Sequence, residues 1–200
     1  MKLRLLALAG ALFASDAAVD LERAASLLRS AKFADAEREL QLAVEGEPSN
    51  ARAHRMLGMA QLQSGKTKEA EAELKEAARL APDSAEVKVA QARLAIEQKD
   101  FDRAEKSLDA AKELDPEVAD LALGRGALHL ARKNYKAAAQ ELESALERDA
   151  DSAYAHYYAG LAYNALKKPD KMVNHFQSFL RLAPDAPEAS RVQSLLRSVR

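Results

Sequence analysis

TKEAEAELKEAARLAP, running from Thr67 to Pro82, decides how the rest of the chain is read. Counterparts lie 34 residues to either side: FADAERELQLAVEGEP from Phe33 to Pro48 and FDRAEKSLDAAKELDP from Phe101 to Pro116. The same 34-residue step links Ala36, Ala70, Ala104 and Ala138, then Leu40, Leu74, Leu108, Leu142 and Phe176, then Ala43, Ala77, Ala111 and Ala145. Spacings of four and three put the members of one such trio on a single helical face. Alanine there lets a second helix come close, and leucine fills the space between the two. Prolines at 48, 82, 116 and 184, with Ala150 in the one gap, close each copy. Proline cannot continue a helix, and it biases the residue before it away from helical angles.

A further series with the same step, Ala24, Gly58, Ala92, Gly126 and Gly160, falls in the half of each copy that precedes these trios. Each copy therefore reads as two helices, the first carrying its own small residue at the crossing. Between the helices stand Gly65 in one copy and Lys99-Asp100 in the next, and Phe33, Phe101 or Tyr135 opens the second helix. The composition agrees. Hydrophobic residues make up 48%, aromatics 5% and charged residues 30%, and Ala, Leu, Glu, Lys and Arg dominate. These are strong helix formers.

This pattern resembles the tetratricopeptide repeat family, whose 34-residue unit has small residues at its eighth, twentieth and twenty-seventh positions and proline at its thirty-second. The match covers residues 17 to 186 without an insertion. The resemblance implies an all-α, right-handed α-solenoid of five helix-turn-helix repeats: 17–50, 51–84, 85–118, 119–152 and 153–186. Residues 187–200 follow as a capping helix, with Ala189, Val192, Leu195, Leu196 and Val199 as its apolar stripe and Arg191, Arg197 and Arg200 toward water. Two departures stand out. The family's aromatic at the fourth position is replaced by His54, Lys88, Ala122 and His156. In the fifth unit Pro169, Met172 and Phe179 replace an aromatic and two small residues, which predicts wider packing of its second helix against the element that follows. Proline is tolerated in a first helical turn, so that helix should survive.

Residues 1–17 read differently. Lys2 and Arg4 precede a ten-residue apolar run from Leu5 to Ala14, and Ser15-Asp16-Ala17 offers small residues for cleavage. This is the pattern of a secretory signal peptide. Ten residues span about 15 Å as a helix against a hydrocarbon core of roughly 30 Å, so no stable membrane span is expected. The predicted location is outside the cytoplasm, in the periplasm; the alternative is a cytoplasmic protein whose N-terminal helix begins with these residues. Cysteine is absent, which removes disulfides, thiol nucleophiles and thiolate metal sites. A formal net charge of −1, spread along the chain, argues against a nucleic-acid partner.

Signals for catalysis are weak throughout. Gly65-Lys66-Thr67 ends like a phosphate-binding loop, but Ala60 stands where that motif needs glycine, and the stretch is an interhelical turn. His54, His129, His156 and His175 are never three or four residues apart, so no single helix carries a metal pair. A site assembled across hairpins from His129 and His156 is conceivable, against plain packing of the two rings. Carboxylates alternate with Lys and Arg, as on a solvated helix face. No enzyme, cofactor or metal is expected.

The resemblance implies that first helices line a concave groove which grips a protein or peptide partner. Carried onto this chain, groove positions fall at Arg52, Arg55 and Met59, at Glu86, Val89 and Arg93, at Asp120, Leu123 and Ala127, and at Tyr154, Tyr157, Leu161 and Asn164, with Tyr158 beside them. Tyrosine and arginine are frequent binding anchors. Tyr154, Tyr157 and Tyr158 are the expected contacts, while Tyr163 takes the core position of the repeat and Arg52, Arg55 and Arg93 read as solvated surface. The family's clamp for a terminal carboxylate is absent, since its places hold Arg55, Met59, Ala90, Asp120 and Gly124 in one register and Leu21, Ala25, Met56, Glu86 and Ala90 in the other. The expected role is an adaptor in the cell envelope; the alternative is a structural spacer subunit of an envelope assembly or transport machine.

Overall fold

Backbone geometry follows the 34-residue period. A computed structural model describes residues 21–198, and every regular element among them is helical. Helix α1 covers residues 21–29. After it come α2 (Phe33–Gly46), α3 (Ala51–Gln63), α4 (Thr67–Leu80), α5 (Ala85–Glu97), α6 (Phe101–Leu114), α7 (Leu121–Ala131), α8 (Tyr135–Arg148), α9 (Ala153–Ala165), α10 (Pro169–Leu182) and α11 (Ala189–Arg197). The predicted leader at 1–17 and the last two residues of the predicted cap lie outside the described residues. No described helix is long and apolar enough to cross a membrane.

The chain divides into two compact units, α1 to α4 in one and α5 to α11 in the other, with residues 29–31 grouped with the second. In the first unit α3 packs on both α2 and α4. In the second, α5–α6, α7–α8 and α9–α10 form hairpins, α7 packs against both α5 and α9, and α11 lies on α10. The core in each unit is the predicted one. Ala70, Leu74 and Ala77 are buried on α4, Ala104, Leu108 and Ala111 on α6, and Met172, Phe176 and Phe179 on α10. Second helices bury one face. Helix α5, by contrast, buries eight of its thirteen residues.

Each hairpin turns through a residue with positive φ: Ala31, Gly65, Lys99, Lys133 and Lys167. Beside them the amide of Lys66 donates to Gln61 O, that of Asp100 to Ala95 O and that of Lys168 to Tyr163 O, at 2.9 Å each. This six-to-one closure satisfies carbonyls that the helix end would leave open. Only Gly65 is free of the steric cost of left-handed angles.

In the fourth repeat the first helix starts at Leu121 rather than at the repeat's first residue. Asn50 and Ser84 cap α3 and α5 by accepting from the amides of Ala53 and Val87, but the equivalent residue is Val118, buried and without an acceptor. The chain makes an extra turn there instead, and α7 starts after Asp120, which takes left-handed angles at φ 64°. Asp120 thus stands at the N-terminal end of α7 rather than within the helix.

Candidate protein-binding site

In the second unit, α5 and α9 flank α7, and one contact spans the three. The Arg93 guanidinium on α5 donates from Nη2 to Tyr158 Oη on α9 at 3.3 Å and sits 5.7 Å from the centre of the Tyr158 ring. Arg93 is only 8% exposed. This corrects its reading as solvated surface: its stem is buried and its charge lies over an aromatic face. Arginine is long enough to reach past α7, whose Ala127 is small and buried.

Around Tyr158 the predicted tyrosines form one cluster. Ring centres of Tyr157 and Tyr158 are 5.4 Å apart, and Tyr154 lies 6.0 Å from each. Phe179 of α10 supports the cluster from below, 5.2 Å from Tyr157 and 6.1 Å from Tyr154. The Tyr154 hydroxyl donates to Glu188 Oε2 at 2.9 Å, which ties the start of α11 to α9. Burial raises the pKa of both the Tyr154 and Tyr158 hydroxyls, and Glu188 adds to the effect on Tyr154 while Arg93 opposes it on Tyr158. Both stay protonated near neutral pH and can act as donors. The three tyrosines differ in access: Tyr157 is buried, while Tyr154 and Tyr158 are half-buried. Beside them Leu161 is half-buried and Asn164 exposed.

Three other groove candidates belong to the first unit, on α3. Arg52 is exposed and pairs with Glu22 at 2.7 Å, and Arg55 and Met59 are half-buried. Of the groove positions expected in the second unit, Val89, Leu123 and Ala127 are buried and serve helix packing, while Glu86 is exposed and shares a hydrogen bond with Ser84.

A second polar cluster, absent from the predicted site, joins α8, α9 and α10. Tyr163 is buried as expected, but its hydroxyl donates to Glu143 Oε1 at 2.7 Å and accepts from Lys171 Nζ at 3.1 Å. Burial alone would raise the Glu143 pKa, but Tyr163 and the charges of His175 and Lys171 outweigh it and hold the carboxyl below its ordinary value. His175 stacks on Tyr163 with an angle of 10° between rings, and its Nδ1 lies 3.0 Å from His156 Nδ1. The cross-hairpin pair considered from sequence, His129 with His156, is therefore replaced by His156 with His175. A signal was available: 19 residues separate His156 from His175, as they separate His54 from Glu73, which pair at 2.7 Å. Among the described residues no three His, Cys, Asp or Glu side chains gather as a metal site.

The comparisons agree with this geometry. Tetratricopeptide repeat family models match residues 27–94, 89–153 and 134–187. Similar solved structures include a thermophilic TPR protein of Thermus thermophilus, with TM-score 0.69, 19% identity and coverage of 90% of this chain and 99% of that one. A tetratricopeptide repeat protein of Parabacteroides merdae gives TM-score 0.60 at 14% identity, covering 92% and 72% respectively. Pseudomonas aeruginosa pilF gives 0.56 at 18% identity, covering 94% and 85%. A search of curated proteins finds no match. With the repeat models spanning residues 27 to 187 and the helical hairpins falling on the same period, the chain belongs to the tetratricopeptide repeat family.

Proposed function

We propose that the chain is a non-catalytic adaptor of the cell envelope that holds a protein or peptide segment against the face shared by α5, α7 and α9. The observation that carries the reading is the Arg93–Tyr158 bridge across α7. It fixes an arginine and a tyrosine cluster in place before any partner arrives, so little side-chain freedom remains to be lost on binding. Tyrosine and arginine are also the residue types that contribute most at protein interfaces. Among the solved structures of similar fold is YrrB, described as a TPR protein with an unusual peptide-binding site. The envelope location rests on the signal-peptide pattern of residues 1–17.

Photo-crosslinking residues introduced at Leu161 and Asn164 test this reading, with Lys106 on the exposed side of α6 as the control. A discrete protein adduct from the first two positions, lost in Tyr158→Ala and absent from Lys106, is the expected result. Adducts of equal yield from all three positions, or none, would end it. Fractionation with mass measurement of the N-terminus checks the location: cleavage after Ala17 is expected, and an intact chain in the cytoplasm overturns that half of the proposal.

A further inference from the structure

Arg93 is the one buried lysine or arginine among the described residues. Arginines elsewhere meet carboxylates: Arg79 reaches Glu76 at 2.6 Å, Arg125 reaches Asp109 at 2.7 Å and Arg132 reaches Glu105 at 2.9 Å. Arg93 pairs with no carboxylate of the described residues, and what it meets is the ring and hydroxyl of Tyr158. Buried charges are ordinarily paired, because a counter-charge has to replace the water lost on burial. An aromatic face supplies only part of that replacement. Glu97, one turn further along α5, is exposed and does not reach the guanidinium.

The hydrogen bonds define the missing group. A guanidinium has N–H donors and no acceptor, and Arg93 gives one of them to Tyr158 Oη at 3.3 Å. Tyr158 accepts there, so its own O–H has still to be given, and burial keeps that proton in place. The bridge therefore presents donors only, and its occupant must bring acceptors. A carboxylate has two oxygens and takes an N–H and the adjacent O–H together. A phosphate brings more negative charge than one cation balances, and the charges of Glu97 and Glu188, both felt at the Tyr158 hydroxyl, oppose it. Along α9 Tyr154 lies one turn before Tyr158 and Leu161 one turn after, and both are half-buried. The receptive surface thus continues on each side of the bridge, which suits a chain that passes through rather than one that ends there.

On the reading of the α5, α7 and α9 face as the binding surface, we propose that the Arg93–Tyr158 bridge receives the side-chain carboxylate of an internal aspartate or glutamate of the partner segment. Apolar residues of that segment lie over Tyr154 and Leu161 on either side.

Selection from a display library of random linear peptides, fused through their C-termini so that none ends freely, against the immobilised full chain tests this. Enriched peptides should share one acidic residue between apolar ones, and its replacement by the matching amide should weaken binding of the synthetic peptide at least about 10-fold. In Arg93→Gln that preference for acid over amide should fall below about 2-fold. In Tyr158→Phe the preference should persist, with affinity reduced at least about 3-fold. Arg103→Gln, on the exposed side of α6, should change nothing. Circular dichroism of each variant confirms retained helix. The Arg93 Nε–H resonance of the unmodified chain needs no substitution: the acidic peptide should shift it and the amide analogue should not. Enriched peptides without an acid, an acid preference that survives Arg93→Gln with helix retained, or an amide analogue that regains full binding once its C-terminus is left free would each overturn the proposal. An absence of enriched peptides would overturn it also, and the crosslinks from Leu161 and Asn164 then decide separately whether the face binds a partner at all.

Discussion

Hairpin two, α3 with α4, and hairpin five, α9 with α10, have the same backbone plan and fill it differently. In the first, Gly58 meets Leu74: a Cβ on the glycine would lie 2.8 Å from Leu74 Cγ. In the second, Gly160 meets Phe176, and the same Cβ would lie 2.4 Å from two ring atoms. The small residues Ala70 and Ala77 of hairpin two become Met172 and Phe179, yet all of these are buried. These larger side chains leave the crossing within the hairpin tight. The close crossing survives at Gly160, and the extra bulk goes instead to either side, where Phe179 supports Tyr154 and Tyr157. One helical frame thus accepts a plain aliphatic filling or an aromatic one, and the aromatic one builds the candidate face.

The largest expected effect tests the tightness of that crossing. Gly160→Ala should cost about 2–3 kcal/mol in denaturant unfolding, because a rigid, fully buried ring cannot give way. Gly58→Ala should cost no more than about 1 kcal/mol, since the Leu74 tip can turn aside and alanine favours the helix. Equal losses at the two sites would show that the rings do not set the difference. Converting one filling into the other sharpens the point: Gly160→Ala combined with Phe176→Leu should lose less than the two single changes added together, by at least about 1 kcal/mol of coupling in a double-mutant cycle.

The histidine pairs give an intermediate effect that depends on pH. His175 has its pKa lowered in the fold below the unfolded value of 6.5, by burial first, with His156 and Lys171 adding and Glu143 opposing. The unfolded chain therefore binds the proton more readily. The contribution to stability is present above the unfolded pKa and is lost as pH falls through the folded one. The melting temperature should drop from pH 7.5 to 5.5, and His175→Glu, which copies the His54–Glu73 pairing, should drop less. An identical pH profile for the two proteins would break this link.

The smallest effect belongs to the turns. Lys99→Gly and Lys167→Gly should each stabilise by about 0.5 kcal/mol in thermal or denaturant melts, as relief of left-handed strain outweighs the added freedom of the unfolded chain. Gly65→Ala should destabilise by about 1 kcal/mol. Opposite signs at either lysine would mean that its side chain contributes to the turn.

Much of this was legible before any coordinates. Periodic Ala, Leu and Gly revealed hairpins because burial on one helical face demands regular spacing, and α4, α6, α8 and α10 start where the repeat predicts. The tyrosine cluster was found for the same reason, since residues three and four apart on α9 must be neighbours. Arg93 was misread because its partner is 65 residues away, and an isolated arginine in a sequence carries no sign of the ring that covers it.

Helical content, hairpin number and crossing residues follow from local periodicity and side-chain size, which any window of the chain displays. The burial of Arg93, the facing imidazoles and the late start of α7 required packed neighbours to bring distant groups together. The caps of the second helices show the same division: Asp149 adopts φ −138° before Ala150, much as Ala81 adopts −136° before Pro82. Proline announces that conformation in one repeat, whereas in the other it must be imposed by the helices packed around it, because alanine alone has no such preference.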